Sequence, residues 1–385
     1  MVRDRVYLDH AASSPMSEAA LEAERTYEEH PYAGANPNSL HTMGRQAARA
    51  LDEARATLAR CLGCGFRPSD VTFTSGGTES NNLALWGLAE GARARDRKRV
   101  RVIMSSIEHD SVLDVAPSLR NRGFEVSFAP VGRDGRVSLD ALGSMLGPDV
   151  ALVSVMAANN ETGIVQPLAD VAKMAHAAGA LVHTDAVQAF GRIRLALADV
   201  DAVSIAAHKI GGPVGIGALV LRSRVPLRPQ SFGGGQEQGR RAGTQDVRGA
   251  RAFAAAAKDC LDHLDERAAL VSHRAQELCQ TLCAEGSGIR ETVDVAYGVG
   301  RLPGLVSLLV DNVDSETLVL RLDEAGFEVS AGSACSSGSL DPSHVLTAMG
   351  IPRTEAFNSL RVSFDERVGD DDLARFAQAL RSIAR

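Results

Sequence analysis

The sequence predicts an α/β fold, a mostly parallel sheet in a large domain followed by a smaller α+β C-terminal domain. Three observations carry this expectation. Short β-branched runs alternate with helical patterns from residue 47 to residue 221; chemically unusual segments fall at the carboxyl ends of several of those runs; and beyond a stretch rich in glycine and arginine at 231–243 a long helical pattern takes over.

The elements follow in order. Residues 47–62 read as an amphipathic helix, 70–74 as a strand, 79–94 as a helix, 101–105 as a strand and 110–122 as a helix. The alternation continues with a strand at 125–128, a helix at 139–146, a strand at 151–155, a helix at 169–178 and strands at 181–184, 202–206 and 218–221. Such alternation places helices on both faces of a buried sheet. A helix over 246–284, a strand at 305–310, a helix at 315–325 and a strand at 328–330 complete the pattern. The expected division is a large domain at 15–255 and a small domain formed by 1–14 with 256–385.

With 385 residues, 45% of them hydrophobic and 23% charged, the chain is long enough to bury a sizeable core in each domain. A net charge of −7 argues against nucleic acid as a partner, because neutralising phosphates requires a basic face. The N-terminal residues lack an apolar signal-like core, and no run approaches the roughly 18 apolar residues of a membrane span. The expectation is a cytoplasmic protein without a membrane partner. Six cysteines in a chain of this size are not a disulfide framework, and Cys61 and Cys64 have no second pair to complete four metal ligands, so no metal is expected.

Lysine is rare: Lys98, Lys173, Lys209 and Lys258 are the only four among 41 basic residues. Lys209 follows the apolar strand 202–206 and opens a glycine-containing turn, His208-Lys209-Ile210-Gly211-Gly212. A snorkelling surface lysine is one reading of that position. The other is a Schiff-base lysine, because an amine can lose its proton and attack a carbonyl whereas a guanidinium stays charged.

Two further strand ends carry chemistry. Ser75-Gly76-Gly77-Thr78-Glu79-Ser80 lets backbone amides approach an anion at a helix N-terminus and suits a phosphate, although a plain capped helix start reads the same way. Asp185, at the end of 181–184, is placed either to cap a helix or to hold a protonated ring nitrogen, with Gln188 within reach of the same ligand. A phosphate cradle, a strand-end acid and a strand-end lysine 24 residues after it are together what pyridoxal 5′-phosphate requires. The ten small residues from Ser330 to Ser339 surround Cys335, an expected mobile loop that puts a reactive thiol in water. Cys260, Cys279 and Cys283 lie in a helical pattern and read as small core residues.

At this point the chain resembles the cysteine desulfurases, members of the class V aminotransferase group of fold-type-I pyridoxal-phosphate enzymes. The resemblance rests on Tyr7-Leu8-Asp9-His10-Ala11-Ala12, Asn36-Pro37-Asn38-Ser39-Leu40-His41, the 74–80 segment, Glu108-His109 and Asn159-Asn160-Glu161-Thr162-Gly163. It continues through His183-Thr184-Asp185-Ala186-Val187-Gln188, His208-Lys209, Arg241-Ala242-Gly243-Thr244, Ser333-Ala334-Cys335-Ser336-Ser337 and Leu360-Arg361-Val362-Ser363, so it spans essentially the whole chain. The long Ser/Gly loop is similar to that of the branch with a mobile cysteine arm.

The resemblance implies a homodimer that converts L-cysteine to L-alanine and passes sulfur through a persulfide on Cys335 to an acceptor protein, an iron–sulfur scaffold or a thio-cofactor or tRNA pathway. Lys209 would carry the cofactor, Asp185 and Gln188 would contact its ring, and His109 would stack on it and act in proton transfer. Gly77, Thr78 and His208 would bind phosphate, joined by Thr244 of the second subunit. Arg361 and Asn160, with Asn36, would hold the substrate carboxylate, and Asn160 would also touch the cofactor. Two departures stand out. Ala206 replaces the serine that commonly contacts the phosphate, a loss of roughly 1.5–3 kcal/mol in cofactor retention. The sequence ends at Arg385, soon after its last helix, which puts delivery to an iron–sulfur scaffold in doubt. A selenocysteine lyase, a related transaminase and a quiet sulfur-relay subunit are the alternative readings.

Overall fold

The computed structural model describes residues 5–298, 300–332 and 341–384. Its strands are β1 (Val6–Tyr7), β2 (Val71–Thr74), β3 (Arg101–Ser105), β4 (Glu125–Ala129), β5 (Val150–Ser154), β6 (Leu181–Asp185), β7 (Ala202–Ala206), β8 (Gly217–Leu221), β9 (Ile289–Glu291), β10 (Leu305–Val310), β11 (Phe327–Glu328) and β12 (Ser359–Ser363). Its helices are α1 (Glu18–Glu29), α2 (Thr42–Leu62), α3 (Gly77–Arg95), α4 (Asp110–Leu113), α5 (Val115–Asn121), α6 (Leu139–Met145), α7 (Leu168–Ala177), α8 (Val247–Asp262), α9 (Leu264–Leu282), α10 (Ser315–Glu324), α11 (His344–Ala348), α12 (Arg353–Ala356) and α13 (Asp370–Ile383). None of the described helices is long and apolar enough to cross a membrane.

The principal sheet has seven strands in the order β2-β8-β7-β6-β5-β3-β4. All neighbours pair in parallel except β8, which runs antiparallel to both β2 and β7. The exception has a local cause: the turn from β7 to β8 contains no crossover helix, and a chain that turns back directly pairs antiparallel. Both faces of the sheet are buried except along edge strand β4, where Glu125 and Phe128 are exposed. Ile103, Val203, Ile205, Ala218 and Val220 point into a core shared with α1, α2, α7 and α8. Val102, Met104, Ala202, Leu219 and Leu221 point into a core shared with α3, α4 and α5.

A three-stranded antiparallel sheet, β12-β10-β9, packs with α9, α10 and α13 around a separate core that includes Val306, Leu308, Leu360 and Phe376. Val6 and Leu8 belong to that core, because β1 pairs in parallel with β11. The chain therefore begins against its C-terminal half.

Two helical expectations differ from the structure. The continuous helix over 246–284 is two helices broken at His263, whose backbone lies at φ −115° and ψ 13° and whose ring contacts the Asp259 carbonyl at 3.0 Å. The break lets one apolar pattern serve two cores: Phe253, Ala256 and Ala257 of α8 enter the sheet core, and Val271, Leu278 and Leu282 of α9 enter the other. The helix over 110–122 is also split, at Asp114. Pro117 has no N–H to return to the preceding turn, so the helix restarts with proline in its first turn.

Edge strand β2 is closed by a side chain. The Glu237 carboxylate accepts the outward N–H of Phe73 at 2.8 Å and both terminal nitrogens of Arg55, while Arg55 also donates to the Val71 carbonyl. Both ions are buried, so removing one leaves the other uncompensated. Arg55→Met should lower stability by about 3–5 kcal/mol, and Arg55→Met with Glu237→Gln should recover much of the loss. Urea unfolding of the three proteins checks this, and a loss below about 1 kcal/mol in the single variant would contradict it.

Candidate active site

The carboxyl ends of β2, β3, β5, β6 and β7 converge on a cavity of about 350 Å³, where open α/β sheets place their ligands. The turn between β2 and α3 lies close against the sheet because two glycines permit it. A Cβ on Gly217 would stand 2.8 Å from backbone atoms of Gly76, and one on Gly77 would stand 2.8 Å from Val187 Cγ2. The turn thereby brings Gly77, Thr78 and the amide end of the 19-residue α3 to the cavity wall.

Lys209 lies in the short helical turn after β7, half-buried rather than splayed into solvent. Its ammonium donates to the carbonyl oxygens of Ala11 and Ala12, each at 2.7 Å. Burial, reinforced by the Lys209 charge next to it, pushes the His208 imidazole down to about 4, so this ring is neutral at pH 7. Ala206, one residue before that turn, presents only a methyl group toward the position of Gly77.

Asp185 ends β6, where its carboxylate accepts from Val187 N at 2.9 Å and from Asn81 Nδ2 at 2.7 Å. The Asn81 amide also donates to Ser111 Oγ at 2.9 Å, and Ser111 Oγ lies 2.9 Å from His109 Nδ1. One chain of hydrogen bonds thus runs from the acid to the ring of His109. Beneath it, His183 is fully buried between Ser154 and Ser204 hydroxyls at 2.9 Å, and burial holds it down to about 3. Glu108, accepting from Ser105 Oγ and Met156 N, is pushed up to about 8 by burial, with the Asp185 charge adding to the effect.

Arg361 reaches the cavity from β12, only 1% exposed. It donates to the Asn160 carbonyl at 3.0 Å and to Asp9 Oδ1 at 2.9 Å, and its buried Nε has no hydrogen-bond partner among the described residues. Gln188 donates through Nε2 to the Ala11 carbonyl at 2.8 Å, and its buried Oε1 likewise has no partner among the described residues.

Nine residues singled out from the sequence line this one cavity: Gly77, Thr78, His109, Asn160, Asp185, Gln188, His208, Lys209 and Arg361. Asn36 and Thr244 do not line it; both are exposed, and Asn36 turns its amide oxygen to Asn38. Cys335 lies outside the described residues. Asn81, Ser111 and Met156 escaped the sequence reading, as did Asp9 as the partner of Arg361. Asn81 carried one signal, its place one helical turn after Gly77 on the same face.

The residues fit pyridoxal 5′-phosphate. A glycine turn at a helix N-terminus and a neutral imidazole suit the phosphate, an anchored carboxylate suits a protonated ring nitrogen, and the lysine amine suits the aldehyde. The partnerless atoms of Gln188 and Arg361 are buried polar groups of the kind a ligand satisfies. Among the described residues no group of three histidine, cysteine or acidic side chains could hold a metal ion.

Known proteins extend this match to the whole chain. It is 42% identical over 366 residues to an IscS-like cysteine desulfurase of Mycobacterium tuberculosis, covering 93% of this chain and 90% of that protein. It is 36% identical over 396 residues to cysteine desulfurase IscS of Dictyoglomus turgidum, covering 100% and 97%. A solved NifS-like protein superposes with a TM-score of 0.89 at 34% identity, covering 98% of this chain and 99% of that one. SspA, solved in complex with cysteine, superposes with a TM-score of 0.78 at 31% identity over 93% and 98%. The aminotransferase class-V family model matches residues 6–376, a span that contains every cavity residue described above, and the chain belongs to that family.

Proposed function

We propose that this protein is a pyridoxal-phosphate-dependent cysteine desulfurase that converts L-cysteine to L-alanine and supplies sulfur through a persulfide on Cys335. The observation that carries this reading is the convergence of the Lys209 amine, the Asp185 carboxylate and the Arg361 guanidinium on one cavity. Its relatives named cysteine desulfurase support the choice of substrate.

Each side chain has a task that its contacts prepare. The buried guanidinium of Arg361, oriented by Asp9 and the Asn160 carbonyl, binds the substrate carboxylate. Asp185, held in place by Asn81 and Val187 N, keeps a proton on the ring nitrogen of the cofactor. Lys209 takes and returns the proton at the substrate Cα, and His109, its Nδ1 fixed by Ser111, would face the cofactor ring and assist. Gly77, Thr78 and His208, which line the cavity together, would hold the phosphate. Bound in this cavity, pyridoxal 5′-phosphate supplies an electron sink for the substrate carbon.

Sulfur transfer balances without an external oxidant. The Cys335 thiolate attacks the sulfur of L-cysteine, the C–S bond breaks with its electron pair left on carbon, and a proton completes the alanine methyl group. The two sulfurs each lose one electron as the persulfide S–S bond forms, and carbon gains two.

Thr244, exposed and outside its own chain's cavity, fits a homodimer in which it serves the partner's cavity. Leu40 and Phe232 are large apolar side chains 89% and 86% exposed, which association with a second chain would cover. All five described cysteines are free thiols, which fits a reducing cytoplasm and an acceptor protein that collects the persulfide sulfur. The expected large cofactor domain, 15–255, extends through α8 to Asp262, because Ala256 and Ala257 enter the sheet core, which leaves 1–14 and the residues after α8 to the small domain proposed to bear Cys335.

Incubation of the cofactor-loaded enzyme with L-cysteine, with alanine and sulfide measured together, tests the activity. Lys209→Ala should lose the visible absorbance of the bound cofactor and about 100-fold or more of alanine formation; alanine at the parent rate would sink the lysine assignment. Asp185→Asn should keep the cofactor yet turn over about 100-fold more slowly, and unchanged rates across the pH range would refute its role. Cys335→Ser should bind cofactor and L-cysteine but form no protein persulfide and almost no alanine, because a hydroxyl attacks sulfur far less readily than a thiolate. Undiminished alanine from L-cysteine would refute the mechanism, and release of selenide alone from selenocysteine by the parent would favour a selenocysteine lyase.

A further inference from the structure

A second cavity of about 350 Å³ lies between the sheet core and the C-terminal core, and Lys209 is the one residue it shares with the first. One part of its wall is apolar, formed by Ile210, Leu264, Ala268, Val271 and Phe364. The rest is charged, and almost every charge there has a contact partner. Glu18 meets Arg25 at 3.0 Å, Arg267 meets Asp259 at 2.8 Å and Glu366 at 3.0 Å, and Asp365 meets His10 at 3.1 Å and Arg367.

Arg192 is different. Its NH2 donates to the carbonyl oxygens of His10 at 3.0 Å and Lys209 at 3.2 Å, and it touches no carboxylate among the described residues. Its Nε and NH1 have no hydrogen-bond partner there. Burial works against its positive charge and lowers its pKa; the nearby Asp365 charge opposes that shift without bonding to the guanidinium.

We propose that this cavity binds a small carboxylate with an apolar tail, the carboxylate on Arg192 and the tail along Ile210, Leu264, Val271 and Phe364. A guanidinium whose Nε and NH1 meet no acceptor among the described residues suits one anionic group, and the apolar wall favours a short hydrocarbon over a bare inorganic anion. The proposal does not rest on the desulfurase reading, because neither the cation nor the wall belongs to the first cavity beyond the shared Lys209.

The test is calorimetric titration of the cofactor-loaded enzyme with hexanoate, hexanamide and acetate. Hexanoate should saturate one site per chain, and hexanamide and acetate should each bind about tenfold or more weakly, since one lacks the charge and the other the tail. Arg192→Met should weaken hexanoate by about tenfold or more. Ala268→Phe, which fills the apolar wall without touching Arg192, should abolish binding while leaving alanine formation intact, and it decides the matter if the arginine variant fails to fold. The proposal is overturned if hexanoate does not bind at millimolar concentration, or if hexanamide binds as well as hexanoate. It is equally overturned if binding survives Ala268→Phe, and displacement of that hexanoate by L-alanine would place the anion on Arg361.

Discussion

The site depends on four residues near the start of the chain. Asp9 orients Arg361, Ala11 N donates to Ser363 Oγ, and the carbonyls of Ala11 and Ala12 receive the Lys209 ammonium, with Gln188 also donating to Ala11. His10 adds a contact with Asp365 and accepts from Arg192. This strap joins β12 of the C-terminal sheet to the turn after β7 of the principal sheet. The amine and the guanidinium come from different sheets, and their separation is set by a segment bonded to both.

Burial distributes charge within this frame. His183 and His208 are driven neutral and Glu108 is driven protonated, each because a charged form would lose its water without gaining an adequate partner. Electrostatic control of the cavity is thereby left to Asp185, Lys209 and Arg361, each of which has hydrogen-bonding partners. The polar core under β5, β6 and β7 acts as a rigid, uncharged floor. It fixes geometry without competing for the ligand.

Much of this was legible along the chain. The alternation of strand and helix patterns sufficed for a buried, mostly parallel sheet, since an apolar period of two or of 3.6 survives in any sequence that must cover both faces. Lys209 was marked by the scarcity of lysine and its place at a strand end, and Asp185 and Gly77 by similar placement. The antiparallel β8 and the break at His263 were hidden, because a local pattern does not say which core an element will join.

By itself the sequence determined the chemical types available and their order: a turn for an anion, an acid, an amine and a thiol on one chain. Only the tertiary structure decided who meets whom. Asp9 and Arg361 are 352 positions apart, Asn81 and Asp185 104, and Ala11 and Lys209 198, and each pair is joined by a hydrogen bond that no local periodicity encodes. Such contacts follow from sheet order and from the packing of two cores, and their energies depend on burial that exists only once the chain is folded.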